Sequence, residues 1–240
     1  MTQSLLDQTV VILGGSAGIG LATARAATAE GARVVLTGRD HRRLEEAAKD
    51  VGAAGHAAFD AADVDRLREF FRTLAEPVDH VLVTAGRPFY TPLAEMDTAA
   101  AARHVAEHVR LTLEVAQLAA ATVRPGGTVL FIGGTGGRRP AVGMSVVSLI
   151  TVGMPALTKN LALELAPIRV NLIAPGFVDT PLSASLLGDG LDARRAQLRE
   201  TLPIKRVVGP QDVAALAVHL MVNTALTGAT FDVDGGQQIV

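Results

Sequence analysis

Short, mostly apolar runs alternate along this chain with longer stretches that are apolar on one face only. The short runs cover residues 10–13, 33–37, 57–59, 81–83, 128–132, 170–173 and 229–233. Such runs are typical of strands buried on both faces, as in a parallel sheet. The longer stretches predict helices over residues 19–30, 44–51, 63–74, 99–123, 146–166 and 211–221, with Asp63 as an N-cap. The alternation predicts an α/β fold: a doubly wound parallel sheet of about seven strands with helices on both faces.

The length of the chain, 240 residues, is that of one larger α/β domain. Without an internal repeat or an interdomain linker, residues 1–240 are expected to form a single domain. Only residues 183–209 depart from the alternation, and we expect there a helical excursion over the substrate cleft. Pro155 is expected to bend the helix over 146–166.

The composition restricts the possible chemistry and partners. The chain has no cysteine, which excludes disulfides, thiolate metal sites and cysteine nucleophiles. Its 22 basic and 24 acidic residues are interspersed, with a formal charge of −2, so no nucleic-acid-binding surface is indicated. No apolar run approaches the length of a membrane span, and residues 1–7 lack the basic start of a signal peptide. We therefore expect a cytoplasmic protein without a nucleic-acid or membrane partner.

The segment after the first predicted strand is rich in glycine and leads directly into the first helix. Residues 14–20 read GGSAGIG. Glycines at such a turn let the backbone approach a pyrophosphate, which then lies at the positive end of the helix. The position between a first strand and a first helix favours a nucleotide site over a simple tight turn.

The end of the second predicted strand indicates which dinucleotide binds. Arg39 stands about where an acid would bind a ribose 2′-hydroxyl. An arginine there suits a 2′-phosphate and favours NADP(H) over NAD(H). In the alternative interpretation Arg39 is a solvated surface residue and Asp40 is the ribose contact.

Several motifs make the chain resemble the short-chain dehydrogenase/reductase family over essentially its whole length. Gly14, Gly18 and Gly20 match the Thr-Gly-x-x-x-Gly-x-Gly turn of the family, with Leu13 in place of the threonine. VTAG at 83–86 is similar to its Asn-Asn-Ala-Gly element. LALELA at 161–166, RVN at 169–171, PGFVDT at 175–180 and DGG at 234–236 are close to its consensus.

The resemblance implies a Rossmann-like fold, a nicotinamide cofactor and a small-molecule ligand. It matches Asp60 to the acid at the adenine, Val178 to the residue at the nicotinamide amide and Thr180 to a phosphate contact. The expected cofactor-binding residues are Gly14, Ser16, Gly18, Ile19, Gly20, Arg39, Asp60, Ala61, Ala85, Gly86, Pro175, Gly176, Val178 and Thr180. It also implies a homo-oligomer, a tetramer or a dimer, in which the fourth and fifth helices pair between subunits.

The catalytic positions depart from the family pattern. The family uses a Tyr-x-x-x-Lys pair and a serine, and these positions correspond here to Val147, Thr151 and Gly134. The asparagine of the preceding helix corresponds to His108. No other register restores the pair, because Tyr90 is the only tyrosine and lysines occur only at positions 49, 159 and 205. Valine cannot exchange a proton, and glycine offers no hydroxyl.

Three residues are candidates to replace the lost proton relay, and each has a structural alternative. Tyr90 follows the fourth strand at the ligand-binding end of the sheet, or it lines a pocket or a subunit contact. His108 can shuttle protons near neutral pH, or it is a hydrogen-bonded helix residue. Thr135, next to Gly134, is better placed than the serines at 145 and 148, but all three hydroxyls can serve local backbone bonding.

A zinc-protease pattern, H-x-x-E-H, occurs at His104, Glu107 and His108. The two histidines would share a helix face, as metal ligands must. The pattern is short and the rest of the chain predicts a different fold, so we expect no metal.

Three functions remain open on these grounds. The first is an NADP(H)-dependent oxidoreductase with a non-standard proton relay. The second is a catalytically silent NADP(H)-binding or regulatory relative. The third is a non-redox isomerase or cyclase that shapes its substrate in the same cleft.

Overall fold

The computed structural model describes residues 4–74 and 77–240. Its strands are β1 (Thr9–Leu13), β2 (Arg33–Gly38), β3 (Gly55–Ala58), β4 (Val78–Val83), β5 (Val123–Ile132), β6 (Arg169–Pro175) and β7 (Thr230–Val233). Within these residues the seven strands form one parallel sheet in the order β3-β2-β1-β4-β5-β6-β7. The chain runs outward from β1 in both directions, which confirms the predicted doubly wound sheet.

The connections between the strands are mainly helical. The helices are α1 (Gly18–Ala29), α2 (His41–Val51), α3 (Val64–Thr73), α4 (Thr98–Thr122), α5 (Ser145–Glu164), α6 (Pro181–Leu187), α7 (Leu191–Thr201) and α8 (Pro210–Val222). Asp63 caps α3 as predicted, accepting the N–H of Arg66 at 3.2 Å. α2 begins before the predicted residue 44, because the side chain of Asp40 accepts the N–H of Arg43 at 2.9 Å and starts the helix there.

The helices cover both faces of the sheet, as the pattern predicts. On one face α1, α2 and α8 bury residues such as Leu44 and Leu220 against Ile12 of β1. On the other face α3, α4 and α5 bury residues such as Leu67 and Val115 against neighbouring strand positions. Successive residues of a strand point to opposite faces, so the continuously apolar strands feed both cores.

β5 starts earlier than predicted, at Val123 rather than at residue 128. Val123 pairs with Val78, and the register then shifts before His80 pairs with Thr128. A methyl group placed at Gly127 would lie 2.4 Å from the carbonyl oxygen of Asp79. The glycines that look like a loop in the sequence therefore allow close passage beside β4.

α5 corrects the expectation that no apolar segment approaches the length of a membrane span, and it confirms the predicted helix around Pro155. It is the one helix of the described residues that is long and apolar enough to cross a membrane by length and composition. Met154 and Leu161 on its inner face are buried in the core, whereas Leu149 and Val152 on its outer face are exposed. α5 packs against β6, so its inner face has the character of a core helix. The helix continues across Pro155.

Candidate functional site

The glycine-rich turn joins β1 to α1, as predicted. The N–H groups of Gly14 and Gly15 donate to the carbonyl oxygen of Thr37 at 3.2 and 2.8 Å, which ties the turn to β2. A methyl group at Gly20 would lie 2.2 Å from the carbonyl oxygen of Gly14 and 2.8 Å from Oγ1 of Thr84. Only glycine therefore lets the first turn of α1 approach the loop this closely.

Thr84 holds the turn from the neighbouring strand, a role that the sequence analysis missed. Its Oγ1 donates to the carbonyl oxygens of Leu13 and Gly14 at 3.1 and 2.9 Å. The predicted cofactor contacts Ala85 and Gly86 follow directly, at the carboxyl end of β4. The available signal was a hydroxyl residue at the end of a strand next to β1.

The amino end of α1 is open to an anion. Ala17 at the N-cap makes no side-chain hydrogen bond, and the first turn, which includes Ile19, has no acidic residue. The first N–H groups of a helix lack partners within it, and the helix dipole favours negative charge there. Thr180 approaches from the β6 side, with Cγ2 3.4 Å from a methyl group placed at Gly18. Its hydroxyl accepts the N–H of Ser183 at 3.3 Å and caps α6.

The predicted adenosine contacts meet at the carboxyl end of β2. A methyl group at Gly38 would lie 3.0 Å from Oγ of Ser16. Nη1 of Arg39 lies 4.0 Å from Oδ2 of Asp60, and the two side chains are 64% and 56% exposed. Oδ1 of Asp60 accepts the N–H of Ala62 at 3.0 Å. The structure thus groups Ser16, Arg39 and Asp60 beside the glycine turn.

Asp40, the alternative ribose contact, is engaged by its own helix. The cap hydrogen bond from the N–H of Arg43 holds the pKa of the Asp40 carboxyl below its usual value. This cap occupies Oδ1, whereas the one ion-pair contact of the Arg39 guanidinium within residues 4–74 and 77–240 is the 4.0 Å contact with Asp60. Of the two residues, Arg39 is the freer to bind a ligand.

Residues near the C-terminus hold the segment after β6. Oε1 of Gln237 accepts the N–H of Phe177 at 2.9 Å and would lie 2.7 Å from a methyl group at Gly176. The carbonyl oxygen of Pro175 accepts the N–H of Thr135 at 3.1 Å, which joins this segment to the loop after β5. Gln237 is a second residue that the sequence analysis missed, and no local pattern indicates it. Ala61 and Val178 are buried, so they can contact a ligand mainly through the backbone.

The three positions that the family resemblance assigns to the catalytic residues lie together. Val147 is buried. Oγ1 of Thr151 donates to the carbonyl oxygen of Val147 at 2.8 Å, so this hydroxyl is satisfied within α5. A methyl group at Gly134 would lie 3.5 Å from Cγ2 of Thr151, an ordinary contact. None of the three offers an unengaged side-chain hydrogen-bond donor.

The loop after β5 packs directly on these positions. A methyl group at Gly136 would lie 3.0 Å from Cγ1 of Val147, and one at Gly137 would lie 2.7 Å from Oγ1 of Thr151. The glycines of the loop and the small side chains of α5 therefore fit one another. A larger side chain at 147 or 151 requires some movement of this loop.

The candidate replacements for the relay lie on three different segments, with Tyr90 after β4, His108 on α4 and Thr135 after β5. Tyr90 is 50% exposed, and burial of the remainder raises the pKa of its phenol. Burial, together with the neighbouring His104, lowers the pKa of His108. Thr135 is buried. Within the described residues no hydrogen bond or ion pair joins these side chains to one another or to the relay positions.

The H-x-x-E-H residues lie on α4. Nε2 of His104 and Nε2 of His108 are buried, whereas Glu107 is exposed. In the parts of the chain that the structure describes, no three His, Asp or Glu side chains come together as metal ligands. The geometry therefore lends the metalloenzyme interpretation no support.

Known proteins resemble the chain over nearly its full length. A family model described as enoyl-(acyl carrier protein) reductase matches residues 14–238. The short-chain dehydrogenase/reductase ATR9 of Stachybotrys chlorohalonatus is 31% identical over 251 residues, covering 97% of this chain and 98% of the relative. A short-chain dehydrogenase/reductase structure of the glucose/ribitol dehydrogenase type from Brucella melitensis has a TM-score of 0.89 at 26% identity, covering 98% of each chain. A small-chain dehydrogenase in complex with NADPH has a TM-score of 0.83 at 26% identity, covering 98% of this chain and 100% of that one.

The order of the strands, the glycine turn between β1 and α1 and the open amino end of α1 are typical of α/β proteins that bind dinucleotides. With the matches above, the chain belongs to the short-chain dehydrogenase/reductase family, whose members are oxidoreductases that bind nicotinamide cofactors. The family assignment made from the motifs is confirmed.

Proposed function

We propose that the protein is an NADP(H)-dependent oxidoreductase whose proton transfer does not use the Tyr–Lys pair of its family. The observation that carries this proposal is the open amino end of α1 beneath a turn that requires Gly20. A pyrophosphate fits there, because it is an anion facing unpaired N–H groups. In this placement Gly14 and Gly18 approach the phosphates, Thr180 closes over them and Val178 lies at the nicotinamide end.

Arg39 supports NADP(H) over NAD(H). Its exposed guanidinium at the end of β2 can donate charge-assisted hydrogen bonds to a 2′-phosphate. Arg42 and Arg43 follow at the amino end of α2 and add positive charge. The acid that could have bound a 2′-hydroxyl, Asp40, caps that helix instead.

The substrate half of the cleft sets the class of reaction that we expect. When bound, NADPH supplies a hydride, and the protein has to orient the substrate and stabilise the charge on its oxygen. Val147 and Gly134 offer no donor for this task, and the hydroxyl of Thr151 is engaged. Quinones and activated carbonyls, which depend less on a strong protein acid, are the substrates expected to react.

Two measurements test the proposal. Fluorescence titration with NADPH and NADH measures binding, and the loss of NADPH absorbance with a panel of small carbonyls and quinones measures turnover. We expect tighter binding of NADPH and turnover with some members of the panel. Failure to bind NADPH would contradict the proposed cofactor site at the glycine turn and the amino end of α1. Binding without any turnover would contradict the oxidoreductase assignment.

The engaged hydroxyl of Thr151 and the buried Val147 favour a second candidate function. With these side chains the protein would bind NADP(H) as a silent or regulatory relative. The same observation fits a non-redox isomerase or cyclase that uses the cleft for its shape. NADPH binding without any consumption of NADPH would support these two alternatives, the silent or regulatory relative and the non-redox enzyme.

We further propose that copies of the chain pair through α4 and α5 into a dimer or tetramer. Val109 and Leu113 of α4, and Leu149 and Val152 of α5, are 42, 42, 62 and 61% exposed. Apolar faces on two neighbouring helices suit a subunit contact. Light scattering should give an oligomeric mass for the wild type and a lower mass for Val152→Glu. A monomeric wild type at micromolar concentration contradicts the proposal.

We also propose that residues 1–240 act as one dinucleotide-binding domain whose segment 183–209 covers the substrate half of the cleft. Arg195 of α7 supports this arrangement, because it donates to both carboxylate oxygens of Asp179 at 2.9 and 2.8 Å. Val178 also pairs with Val208. A cytoplasmic location and the absence of metal, nucleic-acid and membrane partners stay predictions of the sequence.

A further inference from the structure

The glycine loop, residues 133–137, follows β5 and lies against the side of α5. Four of its five residues are glycine. A methyl group at Gly137 would lie 2.5 Å from Cγ2 of Val152 and 2.7 Å from Oγ1 of Thr151, so the loop backbone and the helix are in direct contact. Glycine loses more conformational freedom than any other residue when it is fixed, so contacts from outside the loop have to hold it in this place.

Arg138, directly after the glycine loop, forms an ion pair with Asp232 of β7. Nη1 and Nη2 of Arg138 donate to the two carboxylate oxygens of Asp232, and the bond from Nη2 measures 2.7 Å. Ion pairs at the surface usually contribute little, but a bidentate arginine–carboxylate pair is stronger and fixes both groups in one geometry. Phe231 and Val233 pack into the core beneath α1, α2 and α8, so Asp232 between them points to the face that carries α5. The ion pair therefore fastens the loop on the α5 side of the sheet.

Further hydrogen bonds hold the residues on either side of Arg138 to the same part of the sheet. Nη1 of Arg139 donates to the carbonyl oxygen of Gln237 at 3.0 Å. The side chain of Gln237 in turn accepts the N–H of Phe177. The N–H of Thr135, within the loop, donates to the carbonyl oxygen of Pro175 at 3.1 Å. The segments after the neighbouring strands β5, β6 and β7 are thus joined at the carboxyl edge of the sheet.

The joined segments belong to the two sides of the proposed hydride transfer. Pro175, Gly176 and Val178 are expected cofactor contacts, whereas the glycine loop carries Gly134 in the substrate half of the cleft. The rate of such a reaction depends steeply on the separation and alignment of the reacting atoms, and a displacement of about 1 Å can cost about a hundredfold. Contacts that fix the glycine loop relative to the segment after β6 therefore also bear on the rate.

We propose that Arg138 and Asp232 are positioning residues, whose ion pair holds the glycine loop in the arrangement that hydride transfer requires. This role rests on the proposed function. The pair acts through the loop, and neither side chain exchanges a proton with the substrate. Three strands separate β7 from β1, which carries the glycine turn. Loss of the pair should therefore slow catalysis without weakening the binding of the cofactor.

The first test measures the loop without any ligand. Hydrogen exchange at the backbone N–H of Thr135, followed by NMR, reports opening of the glycine loop. Arg138→Gln and Asp232→Asn should each speed this exchange about tenfold, and the double variant should speed it no further. Arg68→Gln, which breaks a bidentate pair with Glu114 between α3 and α4, is the matched control and should leave it unchanged. Wild-type exchange in the single variants, or additive effects in the double variant, overturns the role of the ion pair.

The second test separates positioning from binding and from stability. With 9,10-phenanthrenequinone or 4-nitrobenzaldehyde as substrate, Arg138→Gln and Asp232→Asn should each lower kcat about tenfold at saturating NADPH. The Kd for NADPH should stay unchanged, and Arg68→Gln should keep the wild-type kcat. A merely structural pair would lower the free energy of unfolding and leave kcat of the folded protein unchanged.

The outcomes of this second test distinguish the two proposals. Turnover by the wild type with the same kcat in both variants overturns the positioning role alone. NADPH binding by the wild type without any turnover contradicts the proposed function, and the positioning role falls with it.

Discussion

The two halves of the cleft differ in how the chain builds them. The cofactor half, between β1 and β2, depends on backbone geometry: Gly20 passes close to the carbonyl oxygen of Gly14, and helix N–H groups are left unpaired. The substrate half, between β5 and α5, depends on side chains, and there Val147 and Thr151 provide no unengaged donor. Cofactor binding and proton transfer are therefore separable properties of this fold. Substitutions can remove the second without disturbing the first.

The largest effect on binding and stability is expected from Gly20→Ala, which changes the glycine turn of the cofactor half. The added methyl group would lie 2.2 Å from a backbone oxygen, so the turn and α1 must separate. We expect NADPH binding to be lost, with destabilisation of about 1–3 kcal/mol or more from overpacking. Fluorescence titration and urea unfolding measure the two effects. Gly190→Ala, where nothing lies within 4 Å, is the control. Normal NADPH affinity in Gly20→Ala would show that the cofactor half does not need this glycine.

The stability of the fold at acid pH is expected to depend on His80, which belongs to neither half of the cleft. Burial lowers the pKa of His80 to about 4, against an unfolded value near 6.5. Between these values the unfolded chain binds the proton more readily, so stability falls as the pH drops from about 6.5 to 4. The loss is on the order of 3 kcal/mol.

Urea unfolding at several pH values tests this expectation. His80→Leu should flatten the pH dependence, whereas His56→Leu, an exposed position in β3, should leave it unchanged. Equal pH profiles for wild type and His80→Leu would refute the assignment. A fall in activity on acidification can then be attributed to the site only where the fold is stable.

Restoring the family residues tests the substrate half. Wild type should reduce ordinary aldehydes and ketones at least about a hundredfold more slowly than a variant with a working relay. The triple variant Gly134→Ser, Val147→Tyr, Thr151→Lys should raise that rate, because lysine lowers the pKa of the restored phenol. The loop at Gly136 and Gly137 has to move to admit the larger side chains.

The rate comparison has a matched control and a clear contrary result. Gly134→Ser alone fits with ordinary contacts and should change the rate little, because it restores no relay. Rapid reduction of ordinary carbonyls by the wild type, abolished by Tyr90→Phe, would show that Tyr90 replaces the relay and that the substrate half has kept its chemistry.

The smallest effect is expected at the edge of the cofactor half. Arg39→Ala should weaken NADPH binding about tenfold or more, because a charge-assisted hydrogen bond to the 2′-phosphate is lost. NADH affinity should not change. Paired titrations of both cofactors measure this, with Arg72→Ala of α3 as the control. Equal weakening for NADPH and NADH would remove the argument for a 2′-phosphate.

Local patterns predict most of the fold because they depend on residues close in sequence. The apolar runs identify the strands, Asp63 identifies the cap of α3, and GGSAGIG identifies the turn. The start of β5 is mistaken because Gly126 and Gly127 look like a loop until β4 lies beside them. The start of α2 is mistaken because the capping role of Asp40 is not visible without its helix.

The sequence by itself determined the sheet, the glycine turn and the absence of a Tyr-x-x-x-Lys pair, since the chain has one tyrosine and three lysines and none of the lysines lies four residues after Tyr90. Only the tertiary structure decided which polar groups are already used. Gln237 reaches Phe177 across 60 residues, and Thr84 reaches Gly14 across 70. It also showed that Nε2 of His108 is buried and has no hydrogen-bond partner among the residues that the structure describes. Hydrogen bonds depend on distance and direction in space, and no local pattern specifies the partners that the fold brings from afar.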